Sequence, residues 1–211
     1  MNSSNNNGLD DASKKAQTAL LLIDVINDLN FDGGENLLTH ALPMAINLSV
    51  LKRRAKAAGV PAIYVNDNFG RWRSDFKKLV RHCLESGTRG HSVVTHLTPE
   101  EDDYFVLKPK HSAFFQTNLE ILLNHLGTTT LIFTGMATDI CLLFSANDAY
   151  MRDFEIIIPS DCVASEEDEA NRQALMLMQR VLKAKIMASR ELDFKDTKVS
   201  CPSFSTKSGS D

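Results

Sequence analysis

Short apolar runs alternate with helix-like stretches along most of this chain, and that alternation limits its fold more than any other feature. Ala19 to Ile23 is a short apolar run, and a helical stretch from about His40 to Ala58 follows it. Gly59 and Pro61 end that stretch, since glycine accepts left-handed backbone and proline cannot continue the hydrogen-bond ladder. Ala62 to Val65 reads as a second strand and Ser74 to about Leu84 as a helix. A loop containing Gly, Thr and His then leads through Thr98-Pro99 to a strand at Tyr104 to Leu107. Thr117 to Leu126 reads as helix with Gly127 as its stop, Thr129 to Thr134 as a β-branched strand, and Asp139 to Met151 as helix. Phe154 to Ile158, Glu166 to Leu182 and Ala184 to Met187 read as strand, helix and strand.

Strands that are apolar throughout are buried on both faces, which requires a mainly parallel sheet with helices on either side. The expected fold is therefore α/β: a three-layer α/β/α arrangement around an open, Rossmann-like sheet of roughly six strands. A chain of 211 residues suits one domain, expected over residues 18–197. Residues 1–17 and 198–211, rich in Ser, Asn and Lys, read as mobile tails.

Composition removes several classes of function. With 43% hydrophobic and 24% charged residues the chain is an ordinary globular one. A net charge of -4 gives no overall attraction to nucleic acid or to an anionic membrane surface. The basic residues Arg71, Arg73, Lys77, Lys78 and Arg81 read as the solvated face of a helix. Met1 to Asn7 lacks the basic start and apolar core of a secretory signal, and no apolar run reaches the length of a membrane span, so cytoplasmic residence is expected. The 4 cysteines are scattered without a CxxC pair, which fits reduced thiols and not a disulfide scaffold or zinc ribbon.

In open parallel sheets ligands collect beyond the carboxyl ends of the strands. The residues there are Asp24, Asn66, Asp67, Lys108, Gly135 and the segment running into Cys141. Cys141 follows a strand and opens a helix, where unpaired N–H groups, the helix dipole and a nearby Lys108 ammonium would favour a thiolate. The same N–H groups could bind an oxyanion, and Asp24 could take the thiol proton and return it to a leaving amine. The competing reading is plain: strand-end Asp and Lys residues also form ordinary ion pairs, and a cysteine is usually a small buried hydrophobe.

Three stretches carry a resemblance. Leu21-Leu22-Ile23-Asp24-Val25-Ile26-Asn27-Asp28-Leu29 is similar to the "LLIDxQNDF" opening of the isochorismatase-like hydrolases, the superfamily that includes nicotinamidases and N-carbamoylsarcosine amidase. Lys108 followed by Ser112-Ala113-Phe114 and Thr117 resembles its second signature. Thr134-Gly135, Thr138-Asp139, Cys141, Ala146, Asp148 and Ala149 match the third, "TGxxTDxCVxxTAxDA". The resemblance implies a triad of Asp24 as general base, Lys108 as charge support and Cys141 as covalent nucleophile. It further implies a cis peptide between Met136 and Ala137, an oxyanion hole made by the amides of Ala137 and Cys141, and a homo-oligomer, often a dimer or tetramer.

The departures from the family pattern are informative. Ile26 stands for the usual glutamine and Leu29 for the usual phenylalanine, changes expected at the pocket wall. The region after the second strand reads Asn66-Asp67-Asn68-Phe69-Gly70, without the histidine that holds a metal in nicotinamidases. His40, His82, His91, His96, His111 and His125 show no metal-ligand pairing, so each is read as a surface or structural histidine and neither metal nor cofactor is expected. Asn66, Asp67, Phe69, Trp72, Phe114 and Phe115 are candidate pocket residues, the aromatics among them serving equally well as core or subunit contacts. The expected activity is hydrolysis of a C–N bond in a small amide or ureido compound through a cysteine acyl-enzyme. Two alternatives remain open: a vinyl ether hydrolase using Asp24 and Lys108 without the thiol, and a binding protein on the same fold. No GxSxG, GxGxxG or P-loop motif is present.

Overall fold

The computed structural model describes residues 17–68, 75–85 and 87–194. Strand β1 (Gln17–Ile23) leads to helix α1 (Gly34–Ala57), β2 (Ala62–Asp67), two short helices α2 (Phe76–Cys83) and α3 (His91–His96), and β3 (Tyr104–Lys108). Then come α4 (Leu119–Leu126), β4 (Thr128–Met136), a π-helical turn (Thr138–Leu142) and α5 (Leu143–Tyr150). The strands β5 (Glu155–Pro159) and β6 (Val163–Ala164), helix α6 (Asp168–Val181) and β7 (Lys185–Met187) complete the fold, with a 3-10 turn at Ser189–Glu191.

The sheet runs β3-β2-β1-β4-β5-β7, with β6 paired to β4, and every pairing is parallel. Alternate residues of β1 show why its sequence is apolar throughout. Leu20 and Leu22 face the layer holding α1, α2 and α3, whereas Ala19, Leu21 and Ile23 face the layer holding α4, α5 and α6. The three-layer α/β/α fold follows from that double burial. No helix among the described residues is long and apolar enough to cross a membrane.

Helix α1 starts at Gly34, earlier than the expected His40, and carries Pro43 inside it. The extra turn is held because Leu37, Ala41, Met44, Ala45, Leu48, Leu51 and Ala55 fall on one buried stripe. Gly33 precedes it with φ 86, and a Cβ there would lie 2.3 Å from Glu166 Oε2. Glu166 thus sets its carboxylate at the positive end of α1, while α6 begins two residues further on, at Asp168. The sequence reading also lacks α3, which occupies part of the expected loop, and the two-residue β6, which makes the sheet seven-stranded.

Strand β4 lies between β1 and β5 and is buried at its centre, where Phe133 is fully enclosed. Phe133→Ala is expected to lower the unfolding free energy by about 3–5 kcal/mol through lost burial and a residual cavity. Urea melts followed by far-UV circular dichroism check this, and a loss below about 1 kcal/mol would contradict the central packing of β4.

Candidate active site

The parallel register brings the carboxyl ends of β1, β2 and β3 level, with Ile23 beside Val65 and Asp67 beside Lys108. Immediately past β1 the chain turns at Asp24, whose φ of 52 is unusual for a residue other than glycine. Neighbouring strands hold it there. The Asp24 N–H donates to Val65 O at 2.9 Å, and its Oδ1 accepts the Asp67 N–H at 2.7 Å.

Lys108, the last residue of β3, is fully buried. Its Nζ lies 2.8 Å from Asp24 Oδ2 and 3.6 Å from Asp67 Oδ2, and it donates to Lys110 O at 3.3 Å and to Cys141 Sγ at 3.4 Å. The Asp24 carboxyl also interacts with the Cys141 side chain, each acting on the other's proton affinity. The structure therefore brings Asp24, Lys108 and Cys141 into mutual contact at one sheet edge.

Cys141 reaches that point through an unusual stretch of backbone. Gly135 in β4 has φ 106, and a Cβ there would stand 2.1 Å from Ile23 O, so only glycine lets β4 pass this close to β1. The Met136–Ala137 peptide is cis, and the π-helical turn follows with the Ile140 and Leu142 N–H groups both donating to Ala137 O, at 3.2 and 3.1 Å. The expected ordinary helix start is thus a wider turn that feeds α5.

Several signature residues have positioning work to do. Ser145 donates to Cys141 O at 2.6 Å and accepts the Ala113 N–H at 2.8 Å, fastening the segment after Lys108 to the turn that carries the thiol. Ser112 makes a short hydrogen bond to Asp148 across the same junction. Ser165 donates to Asp139 Oδ1 at 2.6 Å, tying the turn to the residue after β6.

Other expected site residues fall elsewhere. Asn66 is buried, its Nδ2 donating to Ile26 O at 2.8 Å, which anchors the loop after Asp24. Phe114 is buried in the core, where it packs against Phe154 at a centroid distance of 6.1 Å and beneath Arg152. Phe115 is 51% exposed. Ile26 and Leu29, expected at the pocket wall, are fully buried in the core beside α1. Phe69 and Trp72 lie outside the described residues. His111, read from the sequence as a surface or structural histidine, places its Nδ1 3.9 Å from Cys141 Sγ; its only signal was its place between Lys108 and Ser112. Among the described residues, no group of three or more His, Cys, Asp or Glu side chains is arranged to hold a metal ion.

The electrostatics revise the expected thiolate. Burial pushes the Cys141 thiol up to about 12, the Asp24 charge adds to this, and Lys108 opposes it without prevailing. Burial also raises the Asp24 carboxyl, against Lys108 and the hydrogen bonds it accepts. Lys108 is held above its ordinary value by Asp24 and Cys141 although burial acts in the other direction. Burial thus favours the protonated thiol and makes the neighbouring carboxylate a stronger base, and moving the proton between them needs no net charge change in the site.

An open parallel sheet covered on both faces, with a carboxylate, an ammonium and a thiol gathered at its strand ends, is an α/β enzyme architecture. The chain belongs to the isochorismatase family, whose Isochorismatase domain matches residues 18–191. It is similar to the isochorismatase family protein YaaI of Bacillus subtilis, with 43% identity across 84% of this chain and 97% of that one. It is 27% identical to the ureidoacrylate amidohydrolase RutB of Methylobacterium radiotolerans, over 76% of this chain and 72% of that protein. Among solved structures it resembles the N-carbamoylsarcosine amidase of Thermoplasma acidophilum, with a TM-score of 0.64 and 25% identity over 84% of this chain and 99% of that chain.

Asp24→Asn removes the charge that helps hold the thiol protonated while leaving Lys108 in place. The variant is expected to move the pH profile of Cys141 alkylation by iodoacetamide to lower pH, with quicker labelling at pH near 8 than in the parent. Mass spectrometry of the labelled peptide over a pH series checks this, and an unchanged or upward-shifted profile would contradict the contact between the two groups.

Proposed function

We propose that this isochorismatase-family hydrolase cleaves the C–N bond of a small amide or ureido compound through a covalent thioester at Cys141. The observation that carries the reading is the contact of Cys141 Sγ with Lys108 Nζ at 3.4 Å, with Asp24 Oδ2 at 2.8 Å from the same ammonium. The amidohydrolase and amidase activities of the similar proteins support the choice of C–N bond.

In this reading Asp24 takes the Cys141 proton as Sγ attacks the carbonyl carbon, and the Lys108 ammonium steadies both the forming carboxylic acid and the sulfur. The amides of Ala137 and Cys141 face the oxyanion of the tetrahedral intermediate. The C–N bond then breaks as the leaving nitrogen takes a proton from a general acid on the solvent side of the site, and the acyl group stays on sulfur until water attacks, gives its proton back to that acid and releases the product, while Asp24 returns its proton to Cys141. Asp67, whose N–H and carboxylate both touch the triad, contributes a polar contact at the pocket floor.

A screen over small amides, ureido acids and isochorismate identifies the substrate. Cys141→Ala is expected to reduce amide turnover by about 10,000-fold or more. Acid-quenched parent enzyme is expected to carry the acyl mass on the Cys141 peptide. Undiminished turnover by the alanine variant would sink the covalent mechanism, and isochorismate cleavage by that variant would favour an enol ether reaction instead.

Homo-oligomeric assembly is part of the same proposal. Between α5 and α6, Phe144, Leu177 and Val181 line an apolar groove and remain exposed, and a second copy would remove that surface from water. Multi-angle light scattering is expected to give at least twice the chain mass. A monomer that persists at high protein concentration would contradict the assembly.

A further inference from the structure

We propose that His111 protonates the leaving nitrogen as the C–N bond breaks, dividing the acid–base work with Asp24. The inference rests on the thiol-hydrolase reading above and adds a residue that reading does not use.

The two sides of Cys141 are chemically different. On the inner side Asp24 is only 6% exposed, its Oδ1 taken by the Asp67 N–H at 2.7 Å and its Oδ2 by Lys108 at 2.8 Å. A carboxyl so engaged is well placed to receive a proton from sulfur and poorly placed to follow a departing amine toward solvent. On the outer side the exposed His111 ring presents Nδ1 at 3.9 Å from Cys141 Sγ. Once sulfur is bonded to the substrate carbon, the departing nitrogen is one bond beyond that carbon, within hydrogen-bond reach of a group at this distance from sulfur.

His111 is also held in place. Lys110 O accepts the Lys108 ammonium at 3.3 Å on one side, and the Ala113 N–H is bonded to Ser145 at 2.8 Å on the other. The imidazole ring rests against Phe144, one turn past Cys141 on α5, at a centroid distance of 5.6 Å. An exposed side chain tethered at both ends and braced by an aromatic ring is a positioned group and not a free surface histidine.

The protons balance over one turnover. Asp24 takes the thiol proton as the S–C bond forms, and the protonated His111 gives its Nδ1 proton to the leaving nitrogen as the C–N bond breaks. In deacylation His111, now neutral, takes a proton from the attacking water. Asp24 returns its proton to sulfur as the S–C bond breaks, and both groups regain their starting states.

The test compares the primary amide turned over fastest in the screen with the 4-nitrophenyl ester of the same acid, whose leaving group departs without a proton. In His111→Ala and His111→Gln the ratio of amide to ester acylation rate, read in single turnovers before the shared deacylation step, is expected to fall about 100-fold. Added imidazole is expected to restore part of the amide turnover in His111→Ala. Equal losses on both substrates, or no loss on the amide, overturn the proposal, because a merely structural or binding histidine would not depend on the leaving group. Cys141→Ala run alongside reports on the parent reading separately: its turnover of the amide would remove the thiol mechanism, whatever the His111 variants do.

Discussion

The buried Lys108 ammonium is the constraint around which the rest of this site is arranged. Moving a lysine charge out of water costs several kcal/mol, roughly, unless counter-charges and acceptors replace the lost solvent. Here the replacements come from four places in the fold: Asp24 after β1, Asp67 at the end of β2, the Lys110 carbonyl after β3, and Cys141 in the turn after β4. Each must arrive close to the ammonium for the charge to be tolerated. The side-by-side parallel strands supply that accuracy, since the Ile23–Val65 and Asp67–Lys108 registers leave no freedom to slide without turning core residues outward.

The same requirement explains the local irregularities around the site. Asp24 sits at φ 52 because its side chain has to turn back toward Lys108 while its N–H still bonds to Val65 O. Gly135 is required where β4 presses on Ile23, and the wide turn after it brings sulfur over the ammonium. The bonds from Ser145 to Cys141 O and to the Ala113 N–H then lock the turn to the segment that follows Lys108. Backbone strain and signature side chains alike serve to keep one cation compensated.

How much of this was legible in the sequence follows from which forces leave a local trace. Double burial makes β1, β2 and β4 apolar throughout, so the three-layer sheet could be read from Ala19 to Ile23 and its counterparts. Residues at strand ends follow from that reading, which is why Asp24, Lys108 and Cys141 could be singled out. The two residues of β6 are too few to show a period, and α1 extends back to Gly34 only because tertiary packing rewards Leu37 and Ala41. Phe114 was ambiguous because an aromatic residue near a site reads alike in a core and in a pocket. Its place against Phe154 is set by α5 and β5, far along the chain.

The charge state of the thiol was the least legible feature, because it depends on a balance and not on a partner list. A helix start and a lysine both argue for a thiolate, whereas burial and the Asp24 carboxylate argue for a thiol, and the latter pair prevails. The outcome suits a site that keeps its charges fixed. A permanent thiolate would add a third negative group, after Asp24 and Asp67, against one buried ammonium. A neutral thiol whose proton crosses to Asp24 only when sulfur bonds to carbon keeps the buried charge constant from the resting state to the tetrahedral intermediate. The reactivity of Cys141 is then tied to the arrival of an electrophile.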